Sequence, residues 1–215
     1  MATHPTWLFD LDNTLHDASP HIFPHINRSM TAYLMRYLAL DEAAASALRV
    51  HYWKRYGATL LGLMRHHGTD PHHFLAETHN FERLSDLMVF HHALKGLLRR
   101  LPGRKIVFSN GPRGYAEAVV HAMGLRPLFQ SVFGVEDMGF HPKPGIHAYR
   151  HLVRAHRLDP WRCILVEDSA ENLRTAKRLG MRTVWLSRSP KCPAYVDYKL
   201  SNILGLKRLG LHQPR

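Results

Sequence analysis

The chain has 215 residues, 45% hydrophobic and 21% charged, enough for one ordinary domain and a small inserted one. It has no apolar run long enough to cross a bilayer, and a strand-like run beginning at Trp7 leaves no room for a signal peptide, so a cytoplasmic, membrane-free protein is expected. Lys and Arg exceed Asp and Glu by 12, a balance that attracts anions. The basic residues are dispersed, as in Arg99-Arg100, Arg104-Lys105, Lys177-Arg178 and Lys207-Arg208, without a nucleic-acid signature, so nucleic acid is not the expected partner. The 18 histidines include adjacent pairs such as His66-His67 and His72-His73, not a zinc-binding spacing, and Cys163 and Cys192 do not make a disulfide framework.

The first predicted element is the apolar run Trp7-Leu8-Phe9, which ends in Asp10-Leu11-Asp12. Two acids with one residue between them repel, and the usual remedies are a metal ion or a shared proton. The chain then turns helical. Ile26, Met30, Tyr33, Leu34, Tyr37 and Leu38 recur at helical spacing, and Asp41 reads as an N-cap for a helix with Ala44, Ala47, Leu48, His51 and Tyr52 as its stripe. Gly57 and Gly62 interrupt or end the helical pattern beyond Tyr52, and Asp70-Pro71 starts another helix. From about residue 90, helices over 91–100, 112–123, 145–156 and from Ser169 to Gly180 alternate with strands over 106–108, 132–133, 163–166 and 183–186. Residues 198–206 add an edge strand and a short helix. Continuous apolar strands separated by helices indicate a parallel sheet covered on both faces. The expected fold is therefore α/β, a Rossmann-like core of residues 1–17 and 88–215, with an all-helical cap, 18–87, inserted after the first strand.

Three strands end in groups suited to an anion or a cation. The first ends in Asp10 and Asp12. The second ends in Ser109-Asn110-Gly111 before a helix, where a hydroxyl, an amide and the free N–H groups of a helix start make an anion site. The strand over 163–166 ends in Glu167-Asp168-Ser169, with Asp168 or Ser169 also suited to capping. Between them, His141-Pro142-Lys143-Pro144 restricts the backbone around a lysine that can lie over the same edge. Ligands bind beyond this edge in open α/β sheets.

These motifs together resemble the haloacid dehalogenase-like hydrolase superfamily. Asp10-Leu11-Asp12-Asn13-Thr14 is similar to its first motif, Ser109 to its second, Lys143 to its third, and Glu167-Asp168 with Asn172 to its fourth. The resemblance implies that Asp10 is a nucleophile forming an aspartyl-phosphate and that Asp12 is the general acid and base. It implies Mg²⁺ held by the Asp10 side chain, the Asp12 backbone carbonyl and Asp168, with Glu167 as a direct or water-mediated ligand. Ser109, the amide of Asn110 and Lys143 are implied to hold phosphoryl oxygens, Thr14 to orient Asp12, and Asn172 to act only in a supporting position.

The family also contains metal-free dehalogenases. A halide leaving group needs no proton, so Asp12 has no task there, and Glu167 and Asp168 would be unpaired. A phosphomonoesterase is expected, with a mutase as a smaller alternative and a non-enzymatic RNA-binding relic as another class. The expected partner is a small phosphorylated metabolite; nothing in the sequence separates monomer from dimer. If one helix continues, Arg49, Trp53, Tyr56 and Leu60 share a face offering aromatic surface and positive charge. The wording around Tyr52, Tyr56-Gly57, Thr59-Leu60 and Gly62-Leu63, together with the Asp12-Asn13-Thr14-Leu15 and Val166-Glu167-Asp168-Ser169 stretches, is similar to the pyrimidine 5′-nucleotidase branch. That likeness implies UMP or CMP as substrate, with sugar phosphates or a broad range of small phosphates as the rival.

Overall fold

The computed structural model describes residues 4–209. Inter-residue contacts divide the chain into two units, Met1–Asp17 with Met88–Arg215, and Ala18–Leu87.

The first unit is built on six parallel strands: β1 (Thr6–Phe9), β2 (Arg104–Phe108), β3 (Ser131–Phe133), β4 (Cys163–Glu167), β5 (Arg182–Leu186) and β6 (Tyr198–Leu200), in the order β3-β2-β1-β4-β5-β6. Every residue of β1 and of β4 is buried, as a continuous apolar run demands when both faces are covered. The crossover helices are mostly those the alternating pattern predicts, although the predicted 91–100 helix begins only at Leu94. β1 lies at the centre, with β2 on one side and β4 on the other, and later strands continue outward from each. The order therefore reverses at β1, and the crevice at such a switch point is where an open α/β sheet binds its ligand. Leu8, Ile106, Phe108, Tyr149, Leu165 and Met181 belong to one buried cluster beneath that edge.

In the second unit, four α-helices occur among the described residues, α1 (Ile22–Leu38), α2 (Glu42–Tyr56), α3 (Thr59–His67) and α4 (Pro71–Thr78), followed by a 3-10 turn at Leu84–Leu87. Asp41 caps α2 by accepting from the Ala44 amide at 2.8 Å, and Asp70 caps α4 by accepting from His72 at 2.8 Å. Three expectations are corrected here. The predicted stripe of α2 is partly displaced: Tyr52 is buried as expected, but Ala44, Ala47 and His51 are exposed and Ala45 is buried instead. Alanine is tolerated on either face, so it carries little phase information. α2 stops at Tyr56, where Gly57 takes a left-handed φ of 82° and closes the helix, so buried Leu60 falls on α3 and does not extend the face of Arg49 and Trp53. Gly62 ends nothing. It lies inside α3, where an added Cβ would stand 2.2 Å from Cγ of Tyr52, so its role is to let α2 and α3 approach.

Candidate active site

The chain leaves the sheet in two stages at the tip of β1. Asp10 still follows strand geometry, its amide donating to the Val166 carbonyl at 3.0 Å. The turn begins at Leu11, whose carbonyl accepts from Thr14, Leu15 and His16, with Asn13 at a left-handed φ of 60°. This turn separates the two acids. Asp10 is buried, whereas the Asp12 side chain is 18% exposed and has its own partners.

Lys143 organises the buried half. Its ammonium donates to Asp10 Oδ1 at 2.7 Å, Glu167 Oε2 at 2.8 Å and the Phe108 carbonyl at 2.6 Å, which occupies all three of its N–H groups. Burial disfavours this charge, but Asp10 and Glu167 outweigh it and raise the pKa above the usual lysine value. Burial and the neighbouring Glu167 charge push Asp10 up to about 7 despite Lys143. Burial raises Glu167 and Asp168 as well.

One carboxylate oxygen from each of Asp10, Glu167 and Asp168 lies within 4.8 Å of the others. Three carboxylates against one ammonium leave an excess of two negative charges when all are ionised. A hard divalent cation with oxygen ligands fits both that charge and that donor set. Glu167 is nevertheless well occupied: Oε2 accepts from Lys143 and from Asn172 Nδ2 at 3.0 Å, and Oε1 accepts from the amides of Asp168 at 3.2 Å and Ser169 at 3.1 Å. Asn172 thus supports Glu167. Ser169 caps the helix Ala170–Arg178 through the Asn172 amide.

Ser109 is buried at the end of β2, its hydroxyl accepting from the Gly111 amide at 2.9 Å. The next helix, Arg113–Ala122, was expected to offer its free N–H groups to an anion. Its first amide, that of Arg113, instead donates to Glu136 Oε2 at 2.8 Å and is not free for an anion. The Asn110 side chain does something the sequence did not reveal. Its Nδ2 donates to the Lys143 carbonyl at 2.9 Å and its Oδ1 accepts from the Lys143 amide at 2.8 Å, fixing the lysine loop to the serine loop.

Two further residues were not anticipated. Tyr115 donates to Asp12 Oδ1 at 2.6 Å, and His16 Nε2 donates to the same oxygen at 2.9 Å. Thr14, expected to orient Asp12, is buried with its hydroxyl unpartnered. His16 was open to inference, because a helical turn after Leu11 puts the residue four positions on against Asp12. Tyr115 had no local signal, being 103 residues away in sequence.

The predicted specificity residues lie within the helical unit. Arg49 donates to Asn27 Oδ1 at 2.8 Å and Thr31 Oγ1 at 3.3 Å, and the Tyr56 hydroxyl is 2.6 Å from His66 Nε2. Both are therefore hydrogen-bonded within the unit. Trp53 is 59% exposed.

Among curated relatives, a validoxylamine A 7′-phosphate phosphatase of Streptomyces hygroscopicus is 26% identical over 197 residues, 88% of this chain and 89% of that protein. A phosphoglycolate phosphatase of Mesorhizobium japonicum is 27% identical over 201 residues, 85% of this chain and 82% of that protein. A HAD phosphatase from Thermococcus onnurineus shares the fold with a TM-score of 0.64 at 21% identity, covering 98% of this chain and 100% of that one. The L-2-haloacid dehalogenase of Xanthobacter autotrophicus does so with a TM-score of 0.60 at 16% identity, covering 95% and 97%. The family model for haloacid dehalogenase-like hydrolases matches residues 5–180, and the chain belongs to that family.

Proposed function

We propose that the protein is a Mg²⁺-dependent phosphomonoester hydrolase that acts through an aspartyl-phosphate. The observation that carries this reading is the meeting of Asp10, Asp168 and Lys143 at the ends of β1 and β4, with Asp12 set apart on its own hydrogen bonds. A carboxylate attacking phosphorus needs a second group that exchanges protons without competing for the same counter-charge, and this division supplies one.

Asp10 attacks phosphorus while the ester P–O bond breaks, and Asp12 gives its proton to the departing oxygen. Water then attacks the aspartyl-phosphate and passes a proton to Asp12; the bond from phosphorus to Asp10 breaks, releasing inorganic phosphate and restoring both acids. Ser109, the Asn110 amide and Lys143 hold the phosphoryl oxygens, the lysine exchanging its Asp10 contact for one of them. The Asp10 and Asp168 carboxylates and the Asp12 carbonyl would hold Mg²⁺, which when bound offsets phosphoryl charge. Glu167, with its acceptors already engaged, serves as the counter-charge of Lys143 and not as a direct ligand. An alkyl halide would leave Asp12 without a proton to deliver, which disfavours the dehalogenase reading.

For the alcohol half of the substrate, we favour a pyrimidine nucleoside monophosphate. Its support within the helical unit is now the exposed ring of Trp53, since Arg49 and Tyr56 are engaged elsewhere. The phosphoglycolate and validoxylamine phosphatases favour a second reading, a small carboxylated or polyhydroxylated phosphate. Phosphate release with Mg²⁺ should be measured across UMP, CMP, sugar phosphates and phosphoglycolate, with Asp10→Asn alongside. Loss of about 10⁴-fold or more in that variant is expected. Activity surviving it would remove Asp10 as nucleophile, and sugar phosphates or phosphoglycolate outrunning UMP and CMP would sink the nucleotide reading.

A further inference from the structure

We infer that Tyr115 and His16 are positioning residues that lock the Asp12 carboxyl in one orientation, so that Oδ2 alone carries the catalytic proton. The inference rests on the phosphatase reading above, in which Asp12 is the acid and base.

Both donors converge on Oδ1, Tyr115 Oη at 2.6 Å and His16 Nε2 at 2.9 Å. Two donors fill the lone pairs of one carboxylate oxygen, so a proton added to Asp12 has no place on Oδ1. Neither donor takes Oδ2, and the side chain that carries it is 18% exposed, so it is the oxygen left to meet a leaving group or a water. A carboxylate acceptor requires His16 to carry hydrogen on Nε2, while its buried Nδ1 has no partner, so the ring's one hydrogen bond is the one to Asp12.

The clamp is mounted on rigid supports. Tyr115 is 5% exposed within the helix Arg113–Ala122, and His16 is 3% exposed in the turn anchored on the Leu11 carbonyl. An isolated carboxyl turns about a broad, roughly two-fold torsion and presents either oxygen. Held on Oδ1, it presents one, and proton transfer depends steeply on such alignment. Tyr115 also touches the serine loop: a Cβ at Gly111 would stand 3.0 Å from its ring. The helix that aims the acid is therefore packed directly against the loop that supplies the proposed anion donors.

Two aryl esters of similar shape test this. Phenyl phosphate expels a basic phenolate that needs a proton, whereas p-nitrophenyl phosphate expels a much weaker base that does not. The parameter to compare is kcat/KM with Mg²⁺, because it covers only the steps through departure of the leaving group, before Asp12 acts as a base. Tyr115→Phe and His16→Leu should each lower kcat/KM for phenyl phosphate about 10-fold or more, and for p-nitrophenyl phosphate by less than about 3-fold. His16→Gln, which returns an N–H near the Nε2 position, should recover most of the loss. An equal fall on both esters, or no fall on either, overturns the positioning role while leaving the phosphatase reading intact. A wild-type enzyme that releases phosphate from neither ester and from none of UMP, CMP, sugar phosphates and phosphoglycolate overturns that reading and this inference with it.

Discussion

In the α/β unit, Lys143 meets Asp10, Glu167 and the Phe108 carbonyl at buried positions, whereas in the helical unit Tyr56 meets His66 at an exposed position and Tyr52 meets His67 only part-buried. Both are dense polar clusters with good distances, yet they answer different needs. Each buried charge requires an opposite partner at hydrogen-bond range, so the identity of one residue dictates the next. Tyrosine and histidine near water can satisfy themselves with solvent, so each pair adds little and constrains its neighbours weakly. The difference separates a cluster whose chemistry can be argued from one whose chemistry cannot.

The sharpest way to break the comparison is to remove the shared cation. Lys143→Met leaves Asp10 and Glu167 buried without their partner and should cost about 3–5 kcal/mol in urea unfolding. A cost below about 1 kcal/mol would mean that the cluster is no more constrained than the surface pairs. In the helical unit the largest effect should come from packing. Gly62→Ala forces a methyl against the Tyr52 ring, and about 1–3 kcal/mol should be lost, read as an earlier thermal transition in the helical signal. An unchanged transition would show that Tyr52 has room to move.

A smaller effect comes from a site midway between the two regimes. Asp197 accepts from Lys177 at 2.5 Å and from the Thr183 amide at 2.9 Å, with side-chain exposures of 39% for the lysine and 27% for the acid. Burial works to raise its pKa, but the Lys177 and Thr183 contacts outweigh it and hold the carboxyl below the usual value of 3.8. A depressed carboxylate stabilises the fold above its unfolded pKa, and that contribution is lost as pH falls through the folded one. Asp197→Asn should therefore cost about 1 kcal/mol at neutral pH, discounted for partial exposure, and progressively less as the pH falls below about 3.8. A gap between variant and parent that stays constant with pH would exclude the charge as its cause.

Much of the site was legible because its residues sit where a pattern breaks. Asp10, Ser109, Glu167 and Asp168 each follow an apolar run, and a buried strand that ends on polar groups advertises its tip. Lys143 stood out through its flanking prolines. Tyr115 did not, since a tyrosine in an amphipathic helix reads as core, and its hydroxyl acquires meaning only once the fold brings Asp12 beside it. The family resemblance gives Thr14 the task of orienting Asp12, but its hydroxyl has no partner, and His16, in the turn from Leu11, is the residue that donates to Asp12. The continuous face through Arg49, Trp53, Tyr56 and Leu60 depended on one helix running past Gly57, and of the two glycines that could end the pattern it is Gly57 that does so.

The reciprocal bonds between the Asn110 side chain and the Lys143 backbone close a circuit at its neck, between residues 33 positions apart. Everything between, including β3 and the helix Arg113–Ala122, is tied off from the lysine at that point. Altered turns over 124–130 should therefore leave the ammonium's reach to Asp10 unchanged as long as the neck bonds hold. The asparagine thus works as a mechanical isolator, letting the periphery of the sheet change length without detuning the charge at its centre.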